Sequence, residues 1–211
     1  MIKAVVFDLD GTLTRPFLSF SQIRQEIGVS EGKLSLLEQI TLMPEAEKRR
    51  ALEILNRHER AAVENAELNP GAAELMDFLR GRGIRSAVVT RNSDQSTFQV
   101  LAKLGLTVQR VITRDSGLPL KPDPAPLIHL AREWGLNPDE ILMVGDYRYD
   151  LEAGRAAGTL TCLVTNGREL DYRDRADVCV NTPGELIRVF ETMSKELGRL
   201  SPESANLGVD S

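Results

Sequence analysis

The chain is predicted to be an α/β protein, with a doubly wound, mostly parallel sheet and a small all-helical unit inserted after the first strand. Three observations lead there. From Asn69 onward short apolar runs alternate with helix-length segments. Residues 14–68 hold no convincing strand and are rich in Glu, Arg, Leu and Ala. The first apolar run, Ile2 to Phe7, ends abruptly in the acids Asp8 and Asp10.

Taken in order, Ile2 to Phe7 is apolar and β-branched, as a strand covered on both faces must be. Ser19 to Ile27 reads as a short helix, with Gly28 as its stop. Ser30-Glu31-Gly32-Lys33 then introduces a second apolar helix carrying Leu34, Leu36, Leu37 and Ile40. Pro44 suits the first turn of a third helix, which is expected to run to about Ala66. Along it Glu45 is spaced to face Arg49, and Glu53 to face Arg57. Ala51, Leu55, His58 and Ala62 fall on one stripe, and His58 there reads as a core or interface histidine. A helical unit of this size is expected to rest on a larger domain.

Beyond Asn69-Pro70-Gly71, helices are expected over 71–82, from Ser93 to Leu104, over 124–134 and over 149–157. Gly83, Gly105, Gly135 and Gly158 are their stops, and Pro183 opens a last helix to about Leu197. Strands are expected at Ile84–Thr90, Val108–Ile112, Ile141–Gly145, Leu160–Val164 and Val178–Val180. His129 and Trp134 belong to an amphipathic helix and read as structural. The expected division is a core of 1–13 and 69–197, a helical unit of 14–68, and an aperiodic, flexible tail of 198–211.

Composition narrows the function. A net charge of -5 argues against a generic nucleic-acid or acidic-membrane surface, while leaving room for a local basic pocket. Cys162 and Cys179 sit in strand-like runs and read as small core hydrophobes rather than a disulfide or a metal site. No leader-like segment or long apolar span is seen, so a cytoplasmic location is expected.

Ligands in such sheets bind outside the carboxyl ends of the strands. Four polar clusters fall there or in the loops that follow: Asp8/Asp10, Thr90-Arg91-Asn92, Lys121-Pro122-Asp123-Pro124, and Gly145-Asp146 with Asp150. Singly, Thr90 could be a strand-end hydroxyl or cap, Lys121 a solvated lysine, and Gly145-Asp146 a plain turn. Jointly they suit a hard cation such as Mg²⁺ among carboxylates, with a hydroxyl, backbone N–H groups and an ammonium left for phosphate oxygens. Glycine at 11 and 145 lets the backbone approach a ligand closely. Arg91 is either a contact to a substrate carboxylate or second phosphate, or a surface arginine, and Arg15 has the same standing.

The set Asp8-x-Asp10-Gly11-Thr12, Thr90, Lys121-Pro122 and Gly145-Asp146-x-x-x-Asp150 resembles, in order, the four motifs of the haloacid dehalogenase-like hydrolase superfamily. The resemblance spans Ile2 to about Leu197. A helical insert directly after the first motif is similar to the small cap of the phosphoglycolate phosphatase-like branch. It implies a Rossmann-like core and a Mg²⁺-dependent phosphomonoester hydrolase acting on a small phosphorylated metabolite. Asp8 would be the nucleophile that forms an aspartyl-phosphate, and Asp10 the general acid and then base. Mg²⁺ would be held by Asp8, the Asp10 backbone carbonyl and Asp146. Thr90 and the following N–H would bind phosphate, Lys121 would neutralise charge, and Gly11, Thr12, Arg91 and Asn92 would contact substrate. Asp150 would orient Lys121 or a metal-bound water. Asp10 argues against a true dehalogenase. The rivals are a phosphomutase of the β-phosphoglucomutase kind and a non-catalytic binding protein of the same fold. A monomer or homodimer without nucleic-acid or membrane partners is expected.

Overall fold

Alternate residues of the first strand, β1 (Ala4–Phe7), feed two separate cores. Val5 and Phe7 belong to one buried cluster, Ala4 and Val6 to another. That is the period of two of a strand with both faces covered. The structure is a computed structural model, and it describes residues 1–32 and 34–192. The other strands are β2 (Arg85–Val89), β3 (Arg110–Ile112), β4 (Ile141–Gly145), β5 (Leu160–Val164) and β6 (Val178–Val180). Every pairing is parallel, and the order is β3-β2-β1-β4-β5-β6. The sheet is therefore wound outward in both directions from the β1/β4 pair.

Between β1 and β2 the chain forms α1 (Phe20–Ile27), α2 (Leu36–Thr41), α3 (Glu45–Glu64) and α4 (Ala72–Gly81). The later helices are α5 (Asp94–Lys103), α6 (Ala125–Trp134) and α7 (Arg148–Ala157). Leu75 and Leu79 of α4 and Val100 and Leu101 of α5 share the Val5/Phe7 cluster; Leu127 and Leu130 of α6 and Ala153 of α7 share the Ala4/Val6 cluster. Each fully buried leucine contributes about 1.5–3 kcal/mol of hydrophobic stabilisation. α1, α2 and α3 keep a small core of their own, with Ile23, Leu36, Ile40, Ala51 and Leu55 at its centre. No helix among the described residues is long and apolar enough to cross a membrane.

The sequence reading holds for most elements and needs correction at three points. The second helix starts at Leu36, because Ser35 accepts the Glu38 N–H while the Glu38 carboxylate accepts the Ser35 N–H. That reciprocal cap outweighs the apolar periodicity that would have included Leu34. Arg57 pairs with Glu26 of α1 rather than with Glu53, and Glu26 also bonds His58 Nε2 at 2.8 Å. His58 is thus an interface residue between α1 and α3. Pro183 opens a 3₁₀ turn, Pro183–Glu185, and residues 186–192 follow as helix. The expected continuation to Leu197 and the tail at 198–211 lie outside the described residues. Cys162 is buried and Cys179 partly so, both as free thiols.

Candidate active site

Strands β1 and β4 are neighbours, with Phe7 opposite Val144. The Asp8 N–H continues that ladder to the Val144 carbonyl at 2.9 Å. Asp8 and Asp146 therefore leave adjacent strands side by side, at the point where the order of the sheet reverses. A crevice forms there because the loops of the two halves diverge.

Lys121 reaches this crevice from the loop before α6. Its Nζ lies 2.7 Å from Asp8 Oδ1 and 2.6 Å from Asp150 Oδ1, and its side chain is buried. Burial opposes the ammonium charge, but the Asp150 and Asp8 carboxylates outweigh that and hold Lys121 above the ordinary lysine range. Asp150 sits in the first turn of α7, where its other oxygen accepts the Tyr147 N–H at 3.1 Å. Gly145 is required beside it, since a Cβ there would lie 2.2 Å from Asp150 Cγ. Gly11 carries the same constraint twice over: its φ is +76°, and an added Cβ would meet Asp146 Oδ2 at 2.2 Å.

Asp8, Asp146 and Asp150 each offer an oxygen within 4.8 Å of the others. Burial, then the Asp8 and Asp150 charges, raise Asp146 to about 7 against the pull of Arg168. Burial raises Asp150 to about 6 against the pull of Lys121. Three carboxylates converging this closely make a hard-oxygen donor set suited to a divalent cation. The Asp10 carboxyl lies outside this trio. It accepts the Asn92 side-chain N–H instead, and it is raised to about 7 by burial first and by the Asp8 charge second.

The Asn92 N–H in turn donates to Thr90 Oγ1 at 3.2 Å. Asp8, Asp10, Gly11, Thr90, Arg91, Asn92, Lys121, Asp146 and Asp150 all line one cavity of about 370 Å³. Thr12 does not. It is wholly buried, with no hydrogen-bond partner for its hydroxyl, and is absent from the cavity wall. Arg15 pairs with Glu67 at 3.5 Å and is likewise absent from the wall. Arg91 is engaged: it donates to Ser35 Oγ at 2.7 Å and to the Lys121 carbonyl at 3.1 Å.

Three groups escaped the sequence reading. Arg168, after β5, donates to Asp146 Oδ2 at 2.8 Å. Asn166 has a φ of 52° and donates to the Gly11 carbonyl at 2.7 Å, while Asn69 donates to Asn166 Oδ1 at 2.8 Å and to the Thr12 carbonyl at 3.0 Å. Together they fix the turn that follows Asp10. Glu59 of α3 is buried, pairs with Arg114, and accepts the Ser93 and Ser96 hydroxyls at 2.8 and 2.9 Å. Arg168 and Asn166 follow a strand end, as the predicted residues do, and the polar run Thr165-Asn166-Gly167-Arg168 was the signal available.

Comparison with known proteins agrees with this geometry. The sequence profile of haloacid dehalogenase-like hydrolases matches residues 2–158. An uncharacterised hydrolase of Saccharomyces cerevisiae is 34% identical over 206 residues, covering 92% of this chain and 94% of the yeast protein. A phosphoglycolate phosphatase of Nitrosospira multiformis is 32% identical over 202 residues, 84% of this chain and 87% of that protein. The crystal structure of a hydrolase from Pseudomonas syringae superposes with a TM-score of 0.77 at 20% identity, over 90% of this chain and 99% of that one.

Proposed function

Since the chain belongs to the haloacid dehalogenase-like hydrolase family, in its phosphoglycolate phosphatase-like branch, we propose that this phosphatase is a Mg²⁺-dependent hydrolase of small phosphomonoesters that works through an aspartyl-phosphate on Asp8. The observation that carries the proposal is the convergence on Asp8 of the Lys121 ammonium and the carboxylates of Asp146 and Asp150. Asp8, Asp146 and the Asp10 backbone carbonyl are the groups that would hold Mg²⁺, with Asp150 beside them. When bound, the ion supplies positive charge that offsets the repulsion between a carboxylate and a phosphate dianion.

In the first step an Asp8 oxygen forms a bond to phosphorus, the bond from phosphorus to the ester oxygen breaks, and Asp10 gives its proton to the departing alkoxide. A carboxyl group held near 7 is suited to that, because it can give up a proton and take one back near neutral pH. In the second step Asp10 takes a proton from water, whose oxygen bonds phosphorus and releases Asp8 and inorganic phosphate. Lys121 fixes the orientation of Asp8 and balances charge on the transferring group. Thr90 and the N–H of Arg91 stand ready for phosphate oxygens. The helices of 14–68 act as the cap over the crevice, since Phe17, Phe20 and Leu36 form part of the cavity wall.

The test is Mg²⁺-dependent release of inorganic phosphate from a panel of phosphomonoesters, with Asp8→Asn as the blank, and mass-spectrometric detection of one phosphoryl group on the peptide holding Asp8. Phosphate release also separates a hydrolase from a phosphomutase, which retains the phosphoryl group. Turnover by Asp8→Asn equal to wild type would refute the proposal.

A further inference from the structure

The cavity that holds the carboxylates is also lined by aromatic side chains. Among the described residues, Phe17, Phe20 and Tyr147 stand 47%, 54% and 42% exposed, and all three line this one cavity together with Tyr149. Large apolar groups left in water and gathered at one site mark a surface made for contact. The phenylalanines come from the segment before and at the start of α1, the tyrosines from the loop after β4 and the start of α7, so rings line it from two separate parts of the chain.

Charge at the same site points the same way. Lys121 is engaged by Asp8 and Asp150, and Arg168 by Asp146. Arg91 donates to Ser35 and to the Lys121 carbonyl, with its guanidinium 4.9 Å from the centre of the Tyr149 ring. Arg24 donates to the Ser30 carbonyl at 3.3 Å. Glu31 and Glu59 also line the cavity. Each of these cations already spends part of its charge or donors on the protein, and a second anionic group on a substrate would enter a wall that also carries acids. At about 370 Å³ the cavity lies within the range of sites that enclose whole organic ligands. A leaving group of two carbons would leave most of it to water.

We infer that this cavity selects phosphomonoesters whose leaving group is neutral and carries a flat ring, aromatic or similarly apolar, over esters bearing a second anion. The inference rests on the hydrolase reading above for the position of the phosphate. A ring lying against these aromatic side chains gains both area burial and aromatic contact.

Benzyl phosphate, ethyl phosphate and 2-phosphoglycolate share an alkyl leaving oxygen and differ in ring and charge. With Mg²⁺ present, kcat/KM for benzyl phosphate should exceed that for each of the other two by at least about tenfold. The double substitution Phe17→Ala/Phe20→Ala, at two half-exposed positions, should bring the benzyl-to-ethyl ratio close to one. Calorimetric binding of benzylphosphonate and ethylphosphonate is read in parallel. Equal kcat/KM for the three esters, equal binding of the two phosphonates, or a ratio unmoved by the double substitution overturns the inference. Tighter binding of benzylphosphonate with no turnover of any ester overturns the hydrolase reading and upholds the assignment of the cavity.

Discussion

Lys121 and Asp150 form a fully buried ion pair, Nζ to Oδ1 at 2.6 Å, with side chains 2% and 3% exposed. The same ammonium holds Asp8, so one positive charge serves two carboxylates. Removing one partner of a buried pair costs about 3–5 kcal/mol, because the other charge is left without compensation. Lys121→Met should therefore unfold at a markedly lower urea concentration at pH 7. Adding Asp150→Asn to it should restore part of that stability and none of the turnover, which separates the structural role of Lys121 from its role toward phosphate.

Asp10 predicts two pH effects. Its folded pKa of about 7 lies above the ordinary carboxylate value of 3.8, so the native protein keeps a proton that the unfolded chain gives up. The stabilisation from this group is complete below about pH 4 and is lost as pH rises through about 7, by at most about 4 kcal/mol. Asp146 titrates in the same direction. In metal-free buffer the stability of the wild type should fall from pH 4 to pH 8, and Asp10→Asn should flatten that fall, as read by urea midpoints. With p-nitrophenyl phosphate, whose leaving group needs little protonation, Asp10→Asn should give a burst of about one p-nitrophenolate per enzyme and then stall.

Arg168 occupies an oxygen of Asp146. A cation arriving at that carboxylate competes with the guanidinium, so Arg168→Met should shift the Mg²⁺ titration of thermal stability several-fold toward lower concentration. Asp146→Asn should abolish the Mg²⁺-dependent rise in Tm. A rise that persists in Asp146→Asn would place the ion elsewhere.

Glu59 and Arg114 are both largely buried, and Glu59 also gathers the hydroxyls of Ser93 and Ser96 at the start of α5. Glu59→Ala should cost about 3–5 kcal/mol in urea unfolding, by leaving Arg114 unpaired. Glu59→Gln keeps the acceptor for the two hydroxyls and should cost less.

How much of this was legible varied with the kind of interaction. Strands β4, β5 and β6 match their expected limits, since each is a short apolar run closed by a polar or glycine residue. The converging residues at 8, 10, 90, 146 and 150 were legible because each follows a strand end or opens a helix, where spacing fixes position; Lys121 was legible from the Lys-Pro pair in the loop before α6. Glu59 was not, since an acid on a helix of alternating charges reads as solvated, and only the partner Arg114, 55 positions away, makes its burial tolerable. The partner of Arg57 was misread for the same reason. Spacing along one helix offered Glu53, whereas packing of α1 on α3 brought Glu26 closer. Thr12 shows the converse: its motif was plain, and the turn sends its side chain into the interior.

Arg91 is joined covalently to Thr90 and by hydrogen bond to Ser35, the residue that caps α2. That bond couples the start of α2 to the residue next to the Thr90 hydroxyl. With the bonds from Glu59 to Ser93 and Ser96, the overlying helices are tied to the segment after β2 at two places, one on α2 and one on α3.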